Sequence, residues 1–176
     1  MQRRSAPANP LQTALAMLAR RPYSVAELRR SLEKKFPSID LTDVIARLRK
    51  IGYLDDKKFA ESYALSLAQN RSYGPYRVRR ELKSKLLDYG VIDTAVEKAF
   101  ESVSERTLLE RAVDKKIRTL RKPLTRPKLA SLCQSLIRRG FRADDIMKVV
   151  RSRPELTPGA GNNLTEADLE ENREEL

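Results

Sequence analysis

Histidine is absent from the 176 residues and cysteine occurs once, as Cys133. Without histidine the chain lacks the commonest general base at neutral pH and the commonest nitrogen ligand for a transition metal. A single thiol excludes both an internal disulfide and a cysteine-based zinc site, as in a chain that folds in a reducing cytoplasm. Long apolar runs are missing too, and nothing approaches the roughly 20 residues of a bilayer span. The segment LQTALAMLA at 11–19, behind Arg3 and Arg4, imitates a secretory leader. It contains Gln12 and Thr13, leads into Arg20 and Arg21, and fits an internal repeat instead. A cytoplasmic chain with no membrane partner is expected.

Positive charge is abundant. There are 36 Lys and Arg against 24 Asp and Glu, a net charge of +12, and 40% of residues are apolar, enough to bury a core. The charge is uneven: residues 154–176 hold seven acids and one base, so the total resolves into −6 for that segment and +18 for residues 1–153. A basic body favours polyanionic partners. The segment 154–176, with TPGAGNN and few large apolar residues, is expected to be disordered. Two readings of it stand: a solubilising extension, or a polyanion mimic that shields the body. Residues 1–10, with two prolines, are expected to be loose as well.

The body repeats with a period near 50 residues. Helix starts are marked by Ser24, Gly74 and Thr125. Four residues on come Leu28, Val78 and Leu129, and four further Leu32, Leu82 and Cys133, which is one buried helical stripe. Ile39, Val91 and Phe141 follow, then Val44, Val96 and Ile146, then Leu48, Phe100 and Val150. Upstream lie Leu11, Leu15 and Leu18; Phe59, Leu65 and Leu67; and Val113, Ile117 and Leu120. Each unit is therefore three short helices: repeat 1 over 11–54, repeat 2 over 55–103 and repeat 3 over 104–153. No segment alternates apolar and polar residues for long, so the expected fold class is all-α.

Cap signals agree. Ser24 and Glu27 have the capping-box spacing, in which each side chain takes a backbone N–H of the first turn. Pro75 follows Gly74 at a first helical position, where its missing N–H costs nothing. Asp55 and Asp56 precede an apolar-periodic run, so one caps the helix and both complement its dipole. Paired carboxylates also suit a metal, but no third acid or histidine stands near to complete a cation shell, and no metal or cofactor is expected.

On a helical wheel for residues 75–87, Val78, Leu82 and Leu86 share an 80° arc while Arg77, Arg80 and Ser84 point away. Arg21, Arg29 and Arg30 in the first repeat, and Arg138, Arg139 and Arg142 in the third, fall at related places. Such a face is either plain solvated surface or a row of cations that neutralises a phosphate backbone without reading bases. Paired short helices also have the form of a helix-turn-helix.

The stretch IGYLDDKKFAESYALSLAQNRSYGPYRVRREL, Ile51 to Leu82, closely resembles the signature of the RecX family, bacterial regulators of the RecA recombinase. Gly52, Tyr53, Leu54, Asp55, Asp56, Phe59 and Ala60 match its first segment, and Gly74, Glu81 and Leu82 its second. Ser24 to Arg29 resembles the first-repeat motif and Leu136 to Phe141 the third, so the likeness spans roughly residues 11 to 151. It implies a curved and elongated array of three-helix repeats that can lie in the helical groove of a recombinase filament; a monomer is expected. It also implies inhibition of filament growth, ATP hydrolysis and strand exchange, in recombination, DNA repair and the SOS response, with weaker non-specific binding to single- and double-stranded DNA. No enzymatic activity is implied. The expected contact surface is Arg71, Tyr73, Arg77, Arg79, Arg80 and Lys83, helped by Arg29, Arg30, Arg138 and Arg139. Tyr53 is expected in the core, Tyr73 either in contact or packed, and Gly52, Asp55, Asp56, Phe59 and Gly74 to serve shape.

One departure stands out. Where the family reaches Lys-Gly-Ile soon after Glu-Leu, here Lys83-Ser-Lys-Leu-Leu-Asp-Tyr intervenes before Gly90-Val91. The expectation is one extra helical turn that keeps Leu86 on the core stripe. Two rival classes bound the reading. A stand-alone helix-turn-helix protein acting at promoters predicts a dimer seam that the sequence lacks, and a nuclease needs acids clustered in a pocket, whereas the acids here are mostly caps and tail.

Overall fold

Helices begin where the caps predict them. The structure, a computed structural model, describes residues 9–119 and 125–156. Among these residues there are helices α1 (Pro10–Leu18), α2 (Val25–Glu33), α3 (Thr42–Lys50), α4 (Asp56–Arg71), α5 (Pro75–Lys83), α6 (Tyr89–Ser102), α7 (Glu105–Ile117), α8 (Arg126–Arg138) and α9 (Ala143–Arg151), with no strand. The fold is all-α, built as three-helix repeats. Asn9 caps α1 by accepting from Leu11 N at 2.9 Å, with Pro10 at the first helical position. Both therefore belong to α1 and not to the expected loose N-terminus. Leu120 and most of the expected tail lie outside the described residues.

The described residues divide into two compact units: 9–63 with 81–95, and 64–80 with 96–119 and 125–156. The divisions fall inside α4, α5 and α6.

In the first unit Ala14, Leu28, Leu32, Leu41, Ile45, Leu48 and Leu54 form the core. Ile39, expected inside, is 47% exposed, because the chain is still turning there and Leu41, at the head of α3, takes the inward place. The buried Ser24 hydroxyl is used twice: it accepts from Glu27 N at 3.0 Å and donates to Lys85 O at 2.5 Å. Only half of the expected capping box forms. The Glu27 carboxylate accepts instead from Arg21 at 3.1 Å and Lys85 at 3.3 Å, while Val25 N donates to Asp56 Oδ1 at 2.8 Å. Both aspartates are thus backbone caps. Asp55 Oδ1 accepts from Lys57 N and Lys58 N at the head of its own helix, and Asp56 serves the head of α2.

The expected extra turn of α5 is absent. The helix stops at Lys83, Lys85 N donates to Leu82 O and Leu86 N to Lys83 O, and Leu86 takes φ +59°. Leu86 is therefore 48% exposed, and Leu87 turns inward instead. The reversal is needed because Lys85 must present its carbonyl to Ser24, and Asp88 then caps α6 by accepting from Gly90 N at 2.9 Å.

In the second unit Ala68, Leu108, Leu109, Ala112, Val113, Leu129, Leu132, Cys133, Leu136, Phe141, Ile146, Met147, Val149, Val150 and Leu156 form one core. Leu156 corrects the expected start of the tail. Pro154–Leu156 form a short 3₁₀ turn, and Leu156 is 1% exposed, because burying that side chain offsets the ordering of three more residues.

Candidate nucleic-acid interface

The α8–α9 connection is built by Gly140. It takes φ +89°, its N–H donates to Ile137 O at 2.8 Å, and Phe141 N donates to Leu136 O at 3.3 Å. This is the Schellman closure of a helix, in which a residue in the left-handed region lets two amides satisfy the last free carbonyls. The outward carbonyls of the turn receive the head of α5: Gly74 N donates to Arg139 O at 2.8 Å and Tyr76 N to Gly140 O at 3.3 Å. Gly74 is required because a Cβ there would lie 2.3 Å from Gly140 O.

This junction gathers cations that are far apart in sequence. Arg77 donates through a guanidinium nitrogen to Arg138 O at 3.4 Å and lies 5.0 Å from the Tyr73 ring centre. Arg139 donates to Arg71 O at 3.2 Å. Arg80 and Arg138 are exposed, and Arg79 and Tyr73 half-buried. The second unit thus brings together Arg71, Tyr73, Arg77, Arg138 and Arg139, with Arg79 and Arg80 on the same short helix. Guanidinium groups suit phosphate oxygens because their donors form a planar fork that engages two oxygens at once.

The remaining expected contact residues belong to the first unit. Lys83 lies 5.5 Å from the Tyr89 ring centre, and Arg29 and Arg30 are exposed on α2. Arg21 is committed elsewhere, to Glu27 and, at 3.6 Å, to the face of Tyr23. Among the signature residues, Leu54, Phe59, Ala60 and Leu82 are buried, Glu81 is half-buried, and Gly52 takes φ +79° as the left-handed residue after α3. Tyr53 is a correction: 59% of its surface is exposed. Its N–H closes the α3 turn onto Leu48 O at 2.9 Å, which fixes the backbone and leaves the ring outside. Tyr76, which the helical wheel puts with Lys83 at the flank of the outward face, is exposed.

Comparison with known proteins identifies relatives for both the sequence and the fold. Residues 11–48 match the profile described as RecX, first three-helix domain, and residues 55–96 that described as RecX, second three-helix domain. The chain is 34% identical over 163 residues to the regulatory protein RecX of Cronobacter sakazakii, covering 85% of this chain and 95% of that one. It is 33% identical over 142 residues to that of Chlorobaculum tepidum, covering 80% and 86%. The crystal structure of RecX from Lactobacillus salivarius superposes with a TM-score of 0.63 at 23% identity, over 81% of this chain and 93% of that one.

Proposed function

The chain belongs to the RecX family, and from that premise we propose that it regulates a RecA-type recombinase, mainly as an inhibitor, by binding the groove of the recombinase–DNA filament. Bound there, it limits filament growth, ATP hydrolysis and strand exchange. The observation that carries this reading is the junction of α5 with the α8–α9 turn, which concentrates Arg71, Arg77, Arg138 and Arg139 in one unit. A concentration of cations favours a polyanion and binds it in a salt-dependent way without selecting a sequence. A filament also presents the same surface at a fixed interval. A chain of similar modules then gains a second contact by effective concentration once the first is made.

Nothing in this action requires covalent chemistry or a cofactor. The protein acts as a monomer in the cytoplasm, with weaker, non-specific affinity for bare single- and double-stranded DNA. The decisive experiment adds the protein to preformed recombinase filaments on single-stranded DNA and follows ATP hydrolysis over time. Progressive loss of hydrolysis at substoichiometric protein supports the reading, and unaltered hydrolysis at excess protein overturns it.

A further inference from the structure

A groove of about 450 Å³ opens on the first unit, between the α1–α2 loop, the α3–α4 loop and the outer face of α4. That volume lies within the roughly 300–1,000 Å³ usual for small-ligand sites. Its chemistry differs from that of a core defect. Arg20, Arg21 and Lys58 line it with the rings of Tyr23, Tyr53 and Phe59. Asp55, the acid in its wall, accepts two backbone N–H groups at the head of α4 through Oδ1, and its Oδ2 lies 4.0 Å from Lys58 Nζ, a long ion pair whose lysine is largely exposed and so remains within reach of a phosphate. Tyr53 is the exposed ring of the set and makes no stacking or cation contact with any described residue. Its backbone is nonetheless rigidly placed, because Gly52 in the left-handed region and the Tyr53–Leu48 hydrogen bond close the end of α3 behind it.

A fixed, exposed aromatic face flanked by cations has two natural polyanionic occupants, an acidic peptide and a single nucleic-acid strand. Charge alone suits both. The bare ring favours the strand, since a base stacks on an aromatic face whatever its identity, while carboxylates gain nothing from it. Duplex DNA is excluded from such a contact because its bases are already stacked on one another.

We propose that this groove is a single-strand nucleic-acid subsite, in which one base stacks on Tyr53 while Arg20 and Lys58 hold the adjoining phosphates. It lies in the first unit, whereas the arginine junction lies in the second, and it rests on the single-strand affinity proposed above; single-strand binding that survives Tyr53→Ala unchanged sinks the subsite and leaves that affinity standing.

The test uses the absence of tryptophan from the chain. In the Tyr53→Trp protein the single indole reports directly on the groove. Titration with oligothymidylate at low salt is expected to quench its emission, and Lys58→Glu in that background shifts the midpoint to higher concentration. Tyr53→Ala is expected to weaken single-strand binding roughly fivefold to a hundredfold, the effect of losing one base stack, and Tyr53→Phe to retain it. Duplex binding, measured in parallel, should change less than about twofold, which separates a lost stack from a lost fold. Oligothymidylate that binds Tyr53→Trp without quenching overturns the proposal, and so does unchanged single-strand affinity in Tyr53→Ala. Equal quenching by polyglutamate assigns the groove to acidic peptides and overturns it as well.

Discussion

Gly74 rests on the Gly140 carbonyl, and Gly140 in turn faces the backbone of Arg77, so neither glycine has room for a side chain. A Cβ on Gly74 would lie 2.3 Å from Gly140 O, and one on Gly140 would lie 2.2 Å from Arg77 N. Gly140→Ala adds left-handed strain to this clash. Each substitution is expected to lower stability by about 1–3 kcal/mol in urea denaturation. The double variant should lose less than the sum of the two, since both clashes force open the same junction between α5 and the α8–α9 turn. Full additivity would mean that the two clashes relax independently.

Leu86 offers the opposite case. It holds a left-handed backbone while half its surface faces solvent. A non-glycine residue there costs about 1–2 kcal/mol, against about 0.5–1 kcal/mol of extra chain entropy for glycine. About half of the side chain is still covered, so the roughly 1 kcal/mol of burial lost in Leu86→Gly offsets most of that gain and the variant should stay within about 1 kcal/mol of the parent. Leu82→Ala, at a fully buried position, should lower it by about 2–5 kcal/mol. A loss in Leu86→Gly as large as that in Leu82→Ala, read from thermal melts, would contradict this assignment of faces.

Function can be separated from stability at Arg80 and Arg138. Arg77 is a poor choice because its guanidinium also holds the α8–α9 turn. Arg80→Glu with Arg138→Glu, both exposed, should leave melting and helical content unchanged and weaken inhibition of recombinase ATP hydrolysis by about tenfold or more, the loss expected for several phosphate-directed charges. Undiminished inhibition would remove this surface from the contact.

The Glu27 cluster predicts acid sensitivity. Burial works against ionising Glu27, but the Arg21 hydrogen bond and the charges of Lys85 and Arg21 outweigh it and hold the carboxyl below its ordinary value of 4.5. A carboxyl so lowered contributes stability above that ordinary value and loses it as pH falls through the folded-state value. Denaturation midpoints of Glu27→Gln should lie below those of the parent at neutral pH and converge with them in acid.

At the alkaline end the sign reverses in pH. Burial pushes the Cys133 thiol from its ordinary 9.0 up to about 11. The protonated core thiol therefore contributes stability that is complete below 9.0 and lost as pH rises through about 11. Maleimide labelling of the native protein near neutral pH should be slow and become fast in denaturant. Rapid native labelling would place Cys133 at the surface.

The charge of the tail yields a further experiment. Because Leu156 belongs to the core, the informative truncation follows residue 156, not Arg153. If the acidic segment shields the basic body, its removal raises DNA affinity most at low salt. Equal affinities at every salt concentration would leave it a solubilising extension.

By itself the sequence determined the helical class, the three-fold repetition, most helix starts and the sign of the charge. Each of these follows from spacing along the chain: a 3.6-residue period, a cap beside the helix it serves, a count of ionised groups. Only the tertiary structure decided that Leu86 turns outward, that Tyr53 stands in solvent, that Glu27 serves Arg21 and Lys85, and that Leu156 is core. For Leu86 and Glu27 the outcome depends on a partner distant in the chain: the Lys85 carbonyl that meets Ser24 and the Lys85 ammonium that meets Glu27. A hydrogen bond across space outweighs the local preference of a single residue, and no pattern of neighbours along the chain reveals where that partner will stand.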